Sequence, residues 1–139
     1  MSQVKEKNEF IEKLKILDEA KDTIITEIQC IQTIAITKTQ AQNLREYAVQ
    51  TNSIEEILLY IDYQYARNLK NEKAKDPQKR KENKEYNYNL KCAINDLKKC
   101  IYYYKNKYPA QKEAALEIVR YLLGIFARHV MIQSKERGE

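Results

Sequence analysis

A stretch rich in lysine and tyrosine is the first part of the chain whose residue types could do chemistry. It reads Leu-Lys-Lys-Cys-Ile-Tyr-Tyr-Tyr-Lys-Asn-Lys-Tyr over residues 97–108. Lysines can neutralise phosphates while phenol rings stack on nucleobases, so Lys98, Lys105 and Lys107 are candidate nucleic-acid ligands. The same spacing also fits a buried helix, with lysine stems covering the remaining rings. Both interpretations stay open.

An arginine between aromatic residues marks the second such stretch. Ile-Asp-Tyr-Gln-Tyr-Ala-Arg-Asn occupies residues 61–68, and Lys70 follows closely. Arg67 could hold a phosphate through two parallel hydrogen bonds. Alternatively, Arg67 forms only a weak surface ion pair with Asp62 or Glu72.

Enzymatic chemistry finds little support in the residue pattern. His129 is the one histidine, and no positioned partner for acid or base catalysis can be identified beside it. Glu55, Glu56 and Asp62 share one helix, where solvent-facing charge accounts for them. The chain contains no phosphate loop, nucleophile elbow or zinc helix motif. We therefore expect a protein without catalytic activity.

The cysteines do not form a metal motif. Cys30, Cys92 and Cys100 include no Cys-x-x-Cys pair, and Cys92 and Cys100 are too far apart for a disulfide within one helix. Reduced, partly buried thiols are expected, with neither a metal nor a cofactor.

The positive charge is concentrated after the first predicted helix. The formal net charge is +5, but residues 1–36 hold 5 basic and 7 acidic side chains, a balance of −2. Residues 37–139 hold 20 basic and 13 acidic side chains, a balance of +7. Polyanions are the default partner of a small basic protein.

The elements that must position these residues are helices. With only 2 Gly and 2 Pro in 139 residues, the chain lacks the turns of a β-sandwich and the glycines of a nucleotide-binding α/β unit. The prediction is all-α, as a single helical domain over residues 1–139. No apolar run reaches the roughly 20 residues of a membrane span, and the N-terminus lacks an apolar signal core, so we expect a cytoplasmic protein without a membrane partner.

Apolar periodicity predicts a compact bundle of about five helices. The first runs roughly from 8 to 34, with Asn8 as its N-cap. Thr39 with Gln42 forms a capping box that opens a short second helix, and Ser53 with Glu56 repeats the device for the third. A charged loop or frayed helix is expected near 71–85, because Asp76-Pro77 breaks the pattern. The fourth helix resumes at Tyr86 and reaches about 107, and the last starts at Pro109.

Two of these segments carry a resemblance to a known family. Residues 36–40, Ile-Thr-Lys-Thr-Gln, are followed by the Ser53 helix, which contains the pattern Tyr63-x-x-x-Arg67. The chain resembles the small helical subunit of type III-A CRISPR-Cas effector complexes, the Csm small-subunit family, over about a quarter of its length. The arginine that this family carries after its threonine turn falls on Gln42, and Arg45 follows one helical turn later.

The resemblance implies a subunit that does no chemistry. Several copies would stack along the effector, beside other CRISPR subunits, and contact guide RNA and target RNA through phosphates. Such a filament would leave sequence specificity to base pairing. The residues we expect to bind RNA are Lys38, Arg45, Arg67, Lys70, Lys98, Lys105 and Lys107.

Two other functions remain to be weighed. The first is a helical adaptor or inhibitor whose apolar grooves bind another protein, without nucleic-acid binding. The second is a DNA-binding regulator that uses the second and third helices as a helix-turn-helix. It is disfavoured because the turn lacks glycine, and because Glu55, Glu56 and Asp62 would face the bases.

Overall fold

The structure, a computed structural model, describes residues 2–139 and confirms the all-α fold. Its five helices are α1 (Ser2–Gln29), α2 (Lys38–Gln50), α3 (Ile54–Asn68), α4 (Pro77–Lys107) and α5 (Lys112–Glu136). Within these residues, no helix combines the length and apolar character needed to cross a bilayer.

The last helix occupies the centre of the bundle. α5 packs against α1, α2 and α4, while α3 fills the space between α2 and α4. α1 runs parallel to α5, since Lys21 lies over the Tyr121 ring and the Ile31 carbonyl meets His129. α2 runs antiparallel to α5, because Lys38 in its first turn meets Glu139, just after α5, whereas Ala48 near its end meets Arg120.

One continuous apolar core joins all five helices. Its largest fully buried side chains include Tyr104 and Phe126 and otherwise are Ile and Leu. Stacked rings of Tyr47 and Tyr60, with centroids 4.3 Å apart, close the seam between α2 and α3. The core therefore fixes which face of each helix points outward.

α1 begins and ends earlier than predicted. It already includes Asn8, which is therefore not an N-cap, and it stops at Gln29 instead of near residue 34. The next residues are held by α5: the buried Thr33 hydroxyl bonds the Gln133 side chain, and His129 Nε2 bonds the Ile31 carbonyl at 3.0 Å. Tertiary hydrogen bonds outweigh the apolar periodicity here.

The capping box of α2 lies two residues earlier than predicted. The Gln40 backbone N–H donates to Thr37 Oγ1 at 3.1 Å, and the Gln40 side-chain oxygen accepts from the Thr37 N–H at 3.0 Å. Thr37, not Thr39, is the N-cap.

Ser53 caps α3 as predicted, but it does not complete a capping box. Its hydroxyl accepts from the Glu56 backbone N–H at 3.3 Å, whereas the Glu56 carboxylate is bonded by the Thr51 hydroxyl. The Glu56 carboxylate therefore accepts from Thr51 and not from the Ser53 backbone N–H, as a capping box would require.

The charged segment after Asp76 is helical, which corrects our prediction of a loop or frayed tip over residues 71–85. Asp76 is the N-cap of α4 and Pro77 occupies its first turn. Asn83 and Asn87 are buried and bond the backbone of the preceding loop at Asn71 and Lys70. Between α3 and α4 the chain is non-helical over residues 69–76, so the predicted loop is correct only for the part that precedes Pro77.

The turn before α5 is also longer than predicted. α5 begins at Lys112, so Pro109 belongs to the connecting turn and not to the first helical turn. The connection is closed by a backbone hydrogen bond from Gln111 to Tyr108 at 3.2 Å.

Candidate nucleic-acid interface

α4 alone carries more positive charge than the whole chain. It contains nine Lys and Arg and three Asp and Glu, a balance of +6. The chain totals 25 and 20, so the remaining residues hold 16 basic and 17 acidic side chains, a balance of −1. Any attraction for a polyanion therefore originates mainly at this helix.

Three of these nine cations lie in a single row on the outer face of α4. Lys84, Tyr88, Lys91, Lys99 and Tyr102 are all exposed, and Asn95 completes the row at steps of three and four residues. Such steps place side chains on one helix face. Because an α-helix rises about 1.5 Å per residue, the row from Lys84 to Tyr102 is about 27 Å long. We call these six residues the α4 row.

Cations and rings alternate along the α4 row. The Tyr88 side chain is 68% exposed and Tyr102 is 42% exposed, so both rings present faces to solvent. Within residues 2–139, none of the three lysines of the row has a carboxylate within ion-pair distance. The acidic residues of α4, Glu82, Glu85 and Asp96, lie at other helix positions.

Two predicted ligands lie near α4, at the end of α3 and in the loop that follows it. Arg67 is exposed in the last turn of α3 and has no ion pair among the described residues, so the alternative pairing with Asp62 or Glu72 is absent. Lys70 is exposed, and its Nζ lies 3.9 Å from the centroid of the Tyr86 ring. Because Asp62 meets Lys98 and Lys70 meets Asn87, Arg67 lies alongside the part of α4 between those residues.

Lys98 and Lys105 face α3 and are already paired. Lys98 Nζ lies 2.7 Å from Asp62 Oδ1, and Lys105 Nζ lies 3.1 Å from Glu55 Oε1. Hydrogen bonding by its own backbone N–H and then by Lys105 lowers the pKa of Glu55. These lysines join α3 to α4, and a phosphate would have to compete with the carboxylates for them.

Lys107 is exposed at the end of α4, among aromatic rings. Its Nζ lies 5.5 Å from the Tyr103 centroid and 5.6 Å from the Tyr108 centroid. The neighbouring Tyr108 raises the pKa of Lys107. This cation therefore stays charged at the end of the helix.

Lys38 and Arg45 lie on α2, away from the α4 row. Lys38 is exposed and its Nζ is 3.5 Å from the Glu139 carbonyl oxygen. Arg45 is exposed and lines a groove formed by α1, α2 and α5. The seven predicted residues therefore divide between two surfaces instead of forming one.

His129 has a packing role in this structure. A carbonyl oxygen only accepts, so the 3.0 Å contact assigns a proton to His129 Nε2 and makes it the donor to Ile31. All three cysteines are free thiols, Cys30 exposed and the other two half-buried. Among residues 2–139 there is no cluster of three His, Cys, Asp or Glu side chains suited to a metal ion.

Sequence reasoning missed the lysines of the α4 row. The composition of residues 97–108 drew attention to Lys98 and Lys105, whereas Lys99 faces solvent and Lys98 faces α3. The signal was present in the spacing: extending the pattern backward from Tyr102 in steps of three and four reaches Lys99, Lys91 and Lys84. Lys84 lies in the segment for which the sequence predicts a loop or frayed helix, so the helical spacing was not extended to it.

Comparisons of the chain with protein-family models, with curated proteins and with solved structures found no match.

Proposed function

We propose that the protein is a non-catalytic RNA-binding subunit that holds the phosphate backbone against the α4 row. The observation that carries the proposal is the exposed alternation of unpaired lysines and tyrosines along the most positive helix. Arg67 and Lys70 add exposed positive charge near α4, and Lys107 adds it at the end of that helix.

The chemistry of this row suits RNA of any sequence. Lysine is a flexible point charge, so it can follow a backbone without a fixed register. Tyrosine rings stack on any base, and stacking of this kind contributes about 1–3 kcal/mol per base. Asn95 is the one carboxamide of the row, so paired hydrogen bonds could read a single base edge at most.

The fuller form of the proposal rests on the resemblance described above. It places the protein among the small subunits of type III-A CRISPR-Cas effector complexes, where several copies would line guide RNA and target RNA beside the other subunits. A straight row of cations on one helix is compatible with a backbone-reading role, because specificity would come from base pairing.

RNA binding is tested with a labelled 20-nucleotide single-stranded RNA and fluorescence anisotropy across a range of salt concentrations. The triple variant Lys84→Glu, Lys91→Glu, Lys99→Glu should bind at least tenfold more weakly at low salt. Each phosphate contact contributes about 0.7 to the slope of log affinity against log salt for single strands, so the slope should fall by about 2.

The matched control changes the same amount of charge on α1. Lys5, Lys7 and Lys15 are exposed, and Lys5→Glu, Lys7→Glu, Lys15→Glu should leave most of the affinity in place. Equal losses in the two triple variants would show that only net charge matters and would contradict a binding row. Arg67→Ala should weaken binding with a shallower slope, and Arg67→Lys should recover only part of it.

The complex is tested separately by purifying the tagged protein from cells. Small guide RNAs and further effector subunits should accompany it. Their absence, together with intact binding of the labelled RNA, would remove the CRISPR assignment and leave the RNA-binding proposal standing.

A further inference from the structure

A groove between α1, α2 and α5 lies away from the α4 row. Its volume is about 500 Å³. The floor is α5 at Gly124, where a Cβ would lie 3.8 Å from Arg45 Nε. Because Gly124 has no side chain, the groove stays open between its walls.

Cations dominate the charged lining of this groove. Lys21 comes from α1, Arg45 from α2, and Arg120 and Arg128 from α5, against one carboxylate, Glu117. The structure satisfies Arg120 internally: it bonds Glu117 at 2.5 Å and the carbonyls of Ala48 and Thr51.

The other three cations are available to a partner. Arg45 and Arg128 are exposed, and neither has an ion pair anywhere in residues 2–139. Lys21 has only a long contact of 3.6 Å with the exposed Asp18 and otherwise lies over the Tyr121 ring. Two of the four cations around the groove, Arg45 and Arg128, therefore have no ion pair among residues 2–139.

Apolar side chains line the groove between these cations. Leu17, Val49, Tyr121 and Ile125 contribute to it, and Val49 is 63% exposed. Along α1 the same side continues through Leu14 and Phe10, at steps of three and four residues before Leu17, and both are exposed. The apolar surface thus leads out of the groove along α1.

We propose that this groove binds an amphipathic helix of a partner protein, apolar on one face and carrying Asp or Glu along the edges of that face. A helix laid along α1 would cover Phe10, Leu14 and Val49 while its carboxylates meet Arg45, Arg128 and Lys21. This is the helix-in-groove mode of recognition, in which anchors recur at steps of three, four and seven residues.

The lining favours such a helix over RNA. A phosphate backbone would use the cations but would leave Val49, Leu14 and Phe10 in contact with water or with charge. Covering exposed apolar surface is favourable only for an apolar partner. An acidic helix uses both features of the groove, and its charge also steers the encounter.

The proposal is tested by fluorescence anisotropy with a labelled 18-residue synthetic peptide. Its leucines form one helical stripe flanked by glutamates. A second peptide of equal composition scatters the leucines around the helix. The full-length protein should bind the striped peptide at least tenfold more tightly than the scattered one. Val49→Asp should weaken binding, and Arg45→Glu with Arg128→Glu should weaken it at least tenfold.

Two further variants make the test decisive. Lys84→Glu with Lys91→Glu makes the same charge change on the α4 row and should leave peptide binding unchanged. Gly124→Leu retains every cation and fills the floor, so it should weaken peptide binding while circular dichroism shows a folded helical protein. Equal affinity for the two peptides, or equal loss in the α4 variant, would overturn the proposal, since either result would mean unspecific attraction.

Discussion

Two cysteines, Cys30 after α1 and Cys100 on α4, differ in burial, and we therefore expect them to differ in reactivity. Cys30 is exposed, just after the last turn of α1, and its Sγ contacts the Thr26 carbonyl at 3.4 Å. Cys100 is half-buried on α4, where desolvation first and the Glu27 carboxylate second raise the pKa of its thiol to about 11. Since the thiolate is the reactive species, the raised pKa of Cys100 slows its reaction, while Cys30 is open to a reagent because it is exposed.

Selective alkylation follows from this difference. At pH 8, a rise of about two pKa units leaves Cys100 with about 100-fold less thiolate than a free thiol. Iodoacetamide should therefore modify Cys30 well before Cys100, as read from peptide masses over time. Cys30→Ser should remove the fast phase and leave the slow one. Rapid modification of Cys100 in the folded protein would contradict the burial shown here.

At the scale of elements, the start of α4 depends on two asparagines and not on apolar packing. Asn87 accepts from the Lys70 N–H at 2.8 Å and donates to the Lys70 carbonyl at 2.8 Å and to Glu72 at 3.2 Å. Asn83 donates to the Asn71 carbonyl at 2.8 Å. These bonds attach the loop to the helix and thereby position Lys70 beside α4.

Removing the Asn87 amide should loosen this attachment. Asn87→Ala leaves the partly buried Lys70 N–H and carbonyl without their partner, which should lower the free energy of unfolding by about 1–3 kcal/mol. Urea unfolding followed by circular dichroism measures the change. Asn95→Ala, at an exposed position of the same helix, is the control and should change stability by less than about 0.5 kcal/mol. An equal effect of the two substitutions would contradict the proposed loop attachment.

At the scale of the whole molecule, the contact between α1 and α4 makes the fold sensitive to alkaline pH. Tyr104 is fully buried, and its hydroxyl has no hydrogen-bond partner among residues 2–139. Desolvation, followed by the Glu27 carboxylate, raises the pKa of Tyr104, and burial raises that of Cys100 as well. Both groups are more easily ionised in the unfolded chain than in the folded one.

The contribution of these two groups to the free energy of unfolding should therefore be constant below about pH 8 and fall as the pH rises toward 11 and above. The sign follows from linkage: both folded pKa values lie above the unfolded ones, so stability is lost once the unfolded chain ionises. Tyr104→Phe should cost less than about 1 kcal/mol at pH 7, because the hydroxyl has no partner to lose. It should also reduce the alkaline loss, measured by urea unfolding at several pH values. Tyr102→Phe, at an exposed site, should leave the pH dependence unchanged.

The amino-acid sequence predicts those features of the fold that depend on local interactions. The all-α class and the Ser53 cap follow from composition and from neighbours a few residues apart, and the structure confirms them. The end of α1 does not, because bonds from α5 hold the connecting segment. The local pattern also does not distinguish Thr37 from Thr39 as the cap of α2, since each has a glutamine three residues later, Gln40 and Gln42.

In the candidate site, too, local sequence predicts some residues, whereas the role of others depends on tertiary contacts. Arg67 was identified from its immediate neighbours, and it is exposed and unpaired within the described chain. The partners of Lys98 and Lys105 lie on α3, 36 residues away in the case of Asp62, and no local pattern reveals such a pair. The groove at Arg45 needs three helices to exist, so only the folded chain shows it.

The central position of α5 also has a consequence for protein synthesis. α1, α2 and α4 all turn apolar surface toward α5, which the ribosome makes after them. Chains generally fold as domain units during synthesis, and exposed apolar surface invites aggregation until the unit is complete. A ribosome that stalls before Lys112 would therefore release a nascent chain suited to chaperones and proteases. Pulse-chase labelling should show rapid turnover of such fragments.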